Sequence, residues 1–348
     1  MTTTSSRQPA GAGNPRVSVA WMIHAYRKPE FVVRLVERLY QPGDSVWIHY
    51  DRKAPPGDVV RISRELSRFP QCHIFREVRV SWGGIESVAS DLLLCDRLLE
   101  SEIDFDFVVH LTGSTYPIKN PQRLRFFLAD NRARSFLRTS PRPALIEQRP
   151  TVEALHLEAD EGVEEEHGLA RRYLFARGHF GTDRNRPYAA RRNIPDLFTL
   201  IRRARFDFHL NILRVRKRSA MLQGRPRDVF LPRTFHQIFR GFVHDMICRE
   251  HFLAVHRSPL RPSFVHELKY ASVPDEVFYH TMLRNLVPEH ELTNDHYLYT
   301  LWRTRGGTSP DDLGEEHIPS LRASNAFFAR KFEDWAVLDR IDCELLQI

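Results

Sequence analysis

From Val17 to Lys119 the chain alternates short apolar runs with amphipathic stripes. Val17 to Ala25 is an apolar run ending in a polar loop, which predicts a buried strand. Lys28 to Tyr40 follows with Val32, Val36 and Leu39 at helical spacing. Ser45 to Tyr50 reads as a second strand, Val59 to Phe69 as a second helix and Cys72 to Phe75 as a short strand. From Ile85 the apolar positions Val88, Leu92, Cys95 and Leu99 trace one helix face. Phe105 to Leu111 is again a buried strand. Asn120 and Pro121 cap and open a helix that runs through Phe126 and Phe127. This alternation predicts an α/β fold with a mostly parallel sheet and helices on both faces. In such sheets ligands sit beyond the carboxyl ends of the strands. Those ends are His24-Ala25-Tyr26, His49-Tyr50-Asp51 and Leu111-Thr112-Gly113.

Composition adds boundaries. Of 348 residues, 42% are apolar and 27% charged, as in a globular protein with a real core. Residues 1–16, rich in Thr, Ser, Gly and Pro, read as a disordered tail. Residues 17–340 read as one large domain: a nucleotide-binding half (17–140), an arginine-rich insert (141–234) and an acceptor or catalytic half (235–340). Within the insert, Glu158 to Glu166 reads as a solvated acidic loop. Arginine is frequent from Arg171 to Arg233, most densely at Arg214, Arg216, Lys217 and Arg218. The formal net charge of +7 favours partners carrying phosphate or carboxylate groups without choosing among them.

Cys72, Cys95, Cys248 and Cys343 lie far apart and form no paired metal or redox motif. The start of the chain lacks the basic-then-apolar order of a secretion signal. No run approaches the roughly 18 apolar residues of a membrane span. These features predict a cytoplasmic protein. The arginines offer recognition of an acidic acceptor, or peripheral docking on the inner face of an anionic membrane; solvated structural charge is the plainer alternative.

The candidate chemistry follows the strand ends. Asp51 closes a strand and can accept hydrogen bonds from a base or ribose, although a turn cap before Pro55-Pro56 explains it as well. Ser81-Trp82-Gly83-Gly84 precedes a helix, where paired glycines allow close backbone approach to an anion or form a simple turn. The loop from Leu111 to Lys119 carries Gly113, hydroxyls and a proline at a strand end. Asp104-Phe105-Asp106 has the spacing of a metal-binding pair, but it precedes its strand and is expected to face away from the ligand side. No metal site is expected there, and none around His167. Pro274-Asp275-Glu276 opens an apolar helical stretch, where acids cap the helix dipole and have their pKa lowered by it. A carboxylate base there needs burial near an acceptor to compensate. The stretch from Phe327 to Leu338 reads as a helix or loop, and Arg330-Lys331, inside Phe327-Phe328-Ala329-Arg330-Lys331-Phe332, is either an exposed charged edge or a cationic clamp for a departing diphosphate.

Taken in order, these stretches resemble the Core-2/I-branching family of glycosyltransferases, which includes branching N-acetylglucosaminyltransferases and protein O-xylosyltransferases. The matching residues are Ile23-His24-Ala25, Ile48 to Lys53, Val80 to Gly84, Leu111 to Lys119, Val273 to Glu276 and Phe328 to Phe332. The resemblance implies a GT-A-like fold and inverting, metal-independent transfer from a UDP-sugar to the hydroxyl of a glycan, glycoconjugate or small-molecule acceptor, with no cofactor. It implies Glu276 as the base, and Asp51 and Ile23 at the nucleoside. Lys331 falls at the diphosphate, with an arginine drawn from Arg303, Arg305 and Arg330. His24, Trp82 and Gly113 complete the expected donor-binding set. The chain departs from the family at Thr115, which leaves GlcNAc and xylose both open as the donated sugar, and at Gly241-Phe242-Val243-His244 and in the insert, which leaves the acceptor open. Two other classes stay in view: a basic module binding nucleic acid or an acidic polymer, and a transferase-like scaffold without activity.

Overall fold

The computed structural model describes residues 17–140, 144–145, 177–181, 211–212, 219–223, 234–235, 237–269, 271, 273–302 and 309–348. Among them a central sheet of seven strands is built from β1 (Val19–Ala25), β2 (Ser45–Tyr50), β3 (Cys72–Phe75), β4 (Phe107–Thr112), β6 (Ser135–Thr139), β7 (Gly241–Cys248) and β8 (Leu292–Thr293). The short β5 (Tyr116–Pro117) lies outside it. The strand order is β8-β6-β7-β4-β1-β2-β3. β3, β2, β1 and β4 run parallel, and β7 runs antiparallel to both β4 and β6. The crossovers between the parallel strands carry α1 (Pro29–Leu39), α2 (Pro56–Leu66) and α3 (Glu86–Glu100).

Both faces of the sheet are covered, which is why its strands read as continuous apolar runs rather than alternating ones. On one face Val19, Trp21 and Ile23 of β1 pack with Phe31, Val32 and Val36 of α1. On the other, Ala20 and Met22 of β1 and Val108 of β4 pack with Leu94, Cys95 and Leu98 of α3. The period of two along a strand therefore sends His24, His49 and His110 to the α3 face. The register sets His24 opposite His49 and Met22 opposite His110.

Two buried polar pins fix the periphery. Asp44 accepts bonds from Arg125, from the backbone N–H of Val19 at 3.0 Å and from the Trp21 indole at 3.1 Å. Asp342 accepts from the Tyr116 hydroxyl, Arg34 and Arg38, tying the chain end to α1. The helix expected after Asn120 is α4 (Pro121–Asp130), and the Asn120 side chain caps it by accepting from Gln122 N–H at 2.9 Å.

Two local expectations are corrected. Pro274-Asp275-Glu276 forms its own 3-10 turn, separated by Val277 (φ −121°) from the α-helix Phe278–Leu286. Its acids thus lie outside the first turn of that helix. The segment around Arg330, expected as a helix or loop, contains strand Phe328–Arg330, which pairs with Leu298–Thr300 and with β5. A three-residue strand beside a helix leaves too little periodic signal to read.

Candidate active site

A cleft of about 1500 Å³ opens at the carboxyl ends of β1, β2 and β4, the side expected for ligands. It is larger than a typical small-molecule pocket of about 300–1,000 Å³. Asp51, His24, Gly113, Trp82, Glu276, Arg330 and Lys331 all line it.

The end of β2 supplies a formed cradle. Asp51 is buried, and its Oδ1 accepts the N–H groups of Lys53 at 2.8 Å and Val80 at 3.4 Å. Its own N–H donates to the Ala25 carbonyl at 2.8 Å, locking the ends of β1 and β2 together. His49 accepts from Val78 N–H at 3.2 Å, and burial pushes its pKa down to about 3, so it is neutral. Gly113 passes so close to β1 that a Cβ would sit 2.8 Å from that of Ala25. A larger residue would push the loop into the cleft. Trp82 stands 67% exposed at the mouth. Ile23 is the exception among the predicted donor residues: its side chain is wholly buried in the core on the α1 face, while its neighbours His24 and Ala25 line the cleft.

The opposite wall carries the acids and the cations. Glu276 Oε2 accepts from Arg240 Nε at 3.1 Å. Beside it, burial and then the Glu276 charge push the Asp275 carboxyl up to about 6. The lowering expected from a helix dipole is therefore reversed, because desolvation outweighs it at a site outside the helix. Arg330 is half-buried, desolvation lowers its pKa, and its Nη1 lies 3.3 Å from His244 Nε2. Its Nε has no partner among the described residues. Lys331 reaches Asp312 at 3.3 Å and Glu333 at 4.0 Å. Arg303 and Arg305 lie outside the described residues, as do His167 and most of the arginine-rich segment.

Asp104 and Asp106 lie at the far end of β4 from the cleft. There they form ion pairs with Arg249 and Arg132.

Several polar residues under the cleft floor escaped the sequence reading. Asp91 of α3 lies 3.1 Å from both His24 and His110, and His110 Nδ1 lies 2.5 Å from Asp245 of β7. Burial alone would raise Asp91, but His110 and His24 hold its pKa well below the carboxylate range. Burial opposes charging His110, yet its two carboxylate neighbours raise its pKa well above normal. A histidine inside the run Phe-Val-Val-His-Leu and an acid one turn from Cys95 on the buried helix face were the available signals.

A mostly parallel, doubly covered sheet with this cleft at its strand ends defines a GT-A-like α/β protein. Residues 19–163 match the family model described as Core-2/I-Branching enzyme. It is 24% identical over 347 residues to xylosyltransferase oxt of Drosophila pseudoobscura pseudoobscura, covering 94% of this chain and 33% of that protein. It is 26% identical over 339 residues to xylosyltransferase oxt of Drosophila melanogaster, covering 91% and 32% respectively. Over 132 residues it is 26% identical to beta-1,3-galactosyl-O-glycosyl-glycoprotein beta-1,6-N-acetylglucosaminyltransferase 4 of Danio rerio, covering 38% of this chain and 31% of that one. The chain thus spans about a third of the length of these relatives.

Proposed function

We propose that the chain is an inverting glycosyltransferase that moves a sugar, GlcNAc or xylose, from a UDP-sugar to an acceptor hydroxyl. Its relatives are named as xylosyltransferases and a beta-1,6-N-acetylglucosaminyltransferase. The observation that carries the proposal is one shared cleft: Asp51 on one wall, Glu276 on the other, and Arg330 with Lys331 beside them.

In this reading Asp51 holds the nucleoside, and the diphosphate lies toward Arg330 and Lys331. Glu276 removes the acceptor proton as that oxygen attacks the anomeric carbon. The bond to the diphosphate breaks on the opposite face, inverting the configuration. Charge then builds on the leaving oxygens, and positioned cations stabilise it more in the transition state than in the bound donor. The unpartnered buried Nε of Arg330 supports an anion subsite, since a buried donor without an acceptor is costly until a ligand supplies one. These side chains do the work that a divalent ion does in other transferases, so transfer proceeds in a chelator.

The test is a donor screen in EDTA, with UDP-GlcNAc and UDP-xylose as first donors and sugar transfer or donor hydrolysis as readout. Release of UDP from one of them supports the assignment. No turnover with any nucleotide sugar, together with no binding of UDP, removes it.

A further inference from the structure

Asp91 and Cys95 stand one turn apart on α3, and that i, i+4 spacing sets both on one helix face. His110 of β4 faces them from the sheet. Asp91 Oδ2 lies 3.9 Å from Cys95 Sγ, and Asp91 Oδ1 lies 3.1 Å from His110 Nε2. One ligand atom from each of the three comes within 4.8 Å of the others. A tetrahedral ion with bonds of about 2.0–2.3 Å holds neighbouring ligand atoms roughly 3.3–3.8 Å apart. Small side-chain movements close the difference.

The surroundings fit a metal as well as the spacing does. His110 Nδ1 is turned to Asp245 at 2.5 Å, the outer-sphere carboxylate that orients a ligating imidazole and leaves Nε2 for the ion. That Nε2 is buried and, despite its nearness to Asp91, has no well-directed hydrogen bond among the described residues. Asp91 and His110 line the cleft, which supplies an entry path and an open coordination position. A mixed nitrogen, oxygen and sulfur set favours borderline ions such as zinc over magnesium or calcium.

We propose that Asp91, Cys95 and His110 form a binding site for a divalent cation of the zinc class in the cleft floor. The Cys95 thiol and His110 Nε2 each release a proton to solvent as the ion enters, and the sulfur binds as thiolate. The site is separate from the diphosphate cations, and binding is read without donor or acceptor. Its failure therefore leaves the transferase reading standing.

The experiment uses the full chain, stripped with chelator and dialysed, then titrated with Co²⁺ and displaced with Zn²⁺. The expected result is one equivalent bound with a near-ultraviolet thiolate-to-cobalt absorption band. Cys95→Ser abolishes the band, Asp91→Asn weakens Zn²⁺ binding at least tenfold, and Cys343→Ser at the exposed thiol changes neither. Far-ultraviolet circular dichroism checks each fold, and Asp91→Asn is the second arm if Cys95→Ser does not fold. No uptake by the stripped chain, a band that survives Cys95→Ser, or a band lost in Cys343→Ser overturns the site.

Discussion

Arg240 Nε lies 3.1 Å from Glu276 Oε2, so the candidate base rests against a guanidinium inside the cleft. The position of Arg240 is fixed by its neighbour. A Cβ on Gly241 would overlap the Arg138 carbonyl oxygen and the His280 ring. The strand is also irregular there, since its pairing with β6 shifts register between Gly241 and Asp245.

Glu276→Gln keeps the shape of the side chain and removes its basicity. Transfer should fall by about 10²–10⁴-fold, the usual contribution of a general base. In the proposed arrangement Glu276 faces the acceptor and not the nucleotide, so UDP affinity should stay within about twofold. Steady-state transfer assays and calorimetry check the two halves; unchanged turnover removes Glu276 from the role.

Gly241→Ala should act on the same ion pair from outside it. The overlap with backbone and a buried ring forces the strand to shift, at a cost typical of overpacking, about 1–3 kcal/mol. Chemical denaturation reads the stability, and the turnover number should fall with it as Arg240 and Glu276 separate. A variant with full stability and full activity contradicts the packing described here.

Asp275 sets a pH signature. Its carboxyl is raised from 3.8 to about 6 by burial and by Glu276. Between these values the folded chain holds a proton that the unfolded chain has lost. This group's contribution to stability therefore falls as pH rises from about 4 to 6 and is flat above that. A shift of this size corresponds to a cost on the order of 3 kcal/mol once the group is ionised. Asp275→Asn removes that cost, so the melting-temperature gain of the variant over the parent should widen from pH 4 to pH 6.5. A gain independent of pH contradicts the assignment.

The Asp44–Arg125 pair tests the core. Both side chains are almost wholly buried, at 1% and 2% exposure. Asp44→Ala leaves a buried guanidinium without its partner and should cost about 3–5 kcal/mol. Asp44→Asn with Arg125→Met should recover part of the loss, since no unpaired charge is then left. Denaturant melts of the single and double variants decide it.

Much of this architecture is legible in the residues, and the parts that are not have a common reason. Ser45–Tyr50 is a strand at the expected bounds because a run buried along its whole length carries a strong apolar signal, and the half-buried edge strand Cys72–Phe75 also keeps its expected bounds. Asp51, Glu276 and Lys331 could be gathered only through their resemblance to a family pattern, since no local periodicity brings residues so far apart in sequence together. The 3-10 turn at Pro274 and the strand at Phe328 were misread because three-residue elements are decided by tertiary packing. Asp91, His110, Asp245 and Arg240 went unnoticed for a related reason. Each looks ordinary in its own segment, and only the β1–β4–β7 register and the α3 face bring their charges together.

Whether fixed cations stand in for a divalent ion is tested most directly by calorimetry of UDP binding in EDTA, with the parent chain and Lys331→Ala side by side. Micromolar binding in chelator that weakens at least tenfold in the variant is the predicted result. Binding that appears only when manganese is added, or that Lys331→Ala leaves intact, contradicts it.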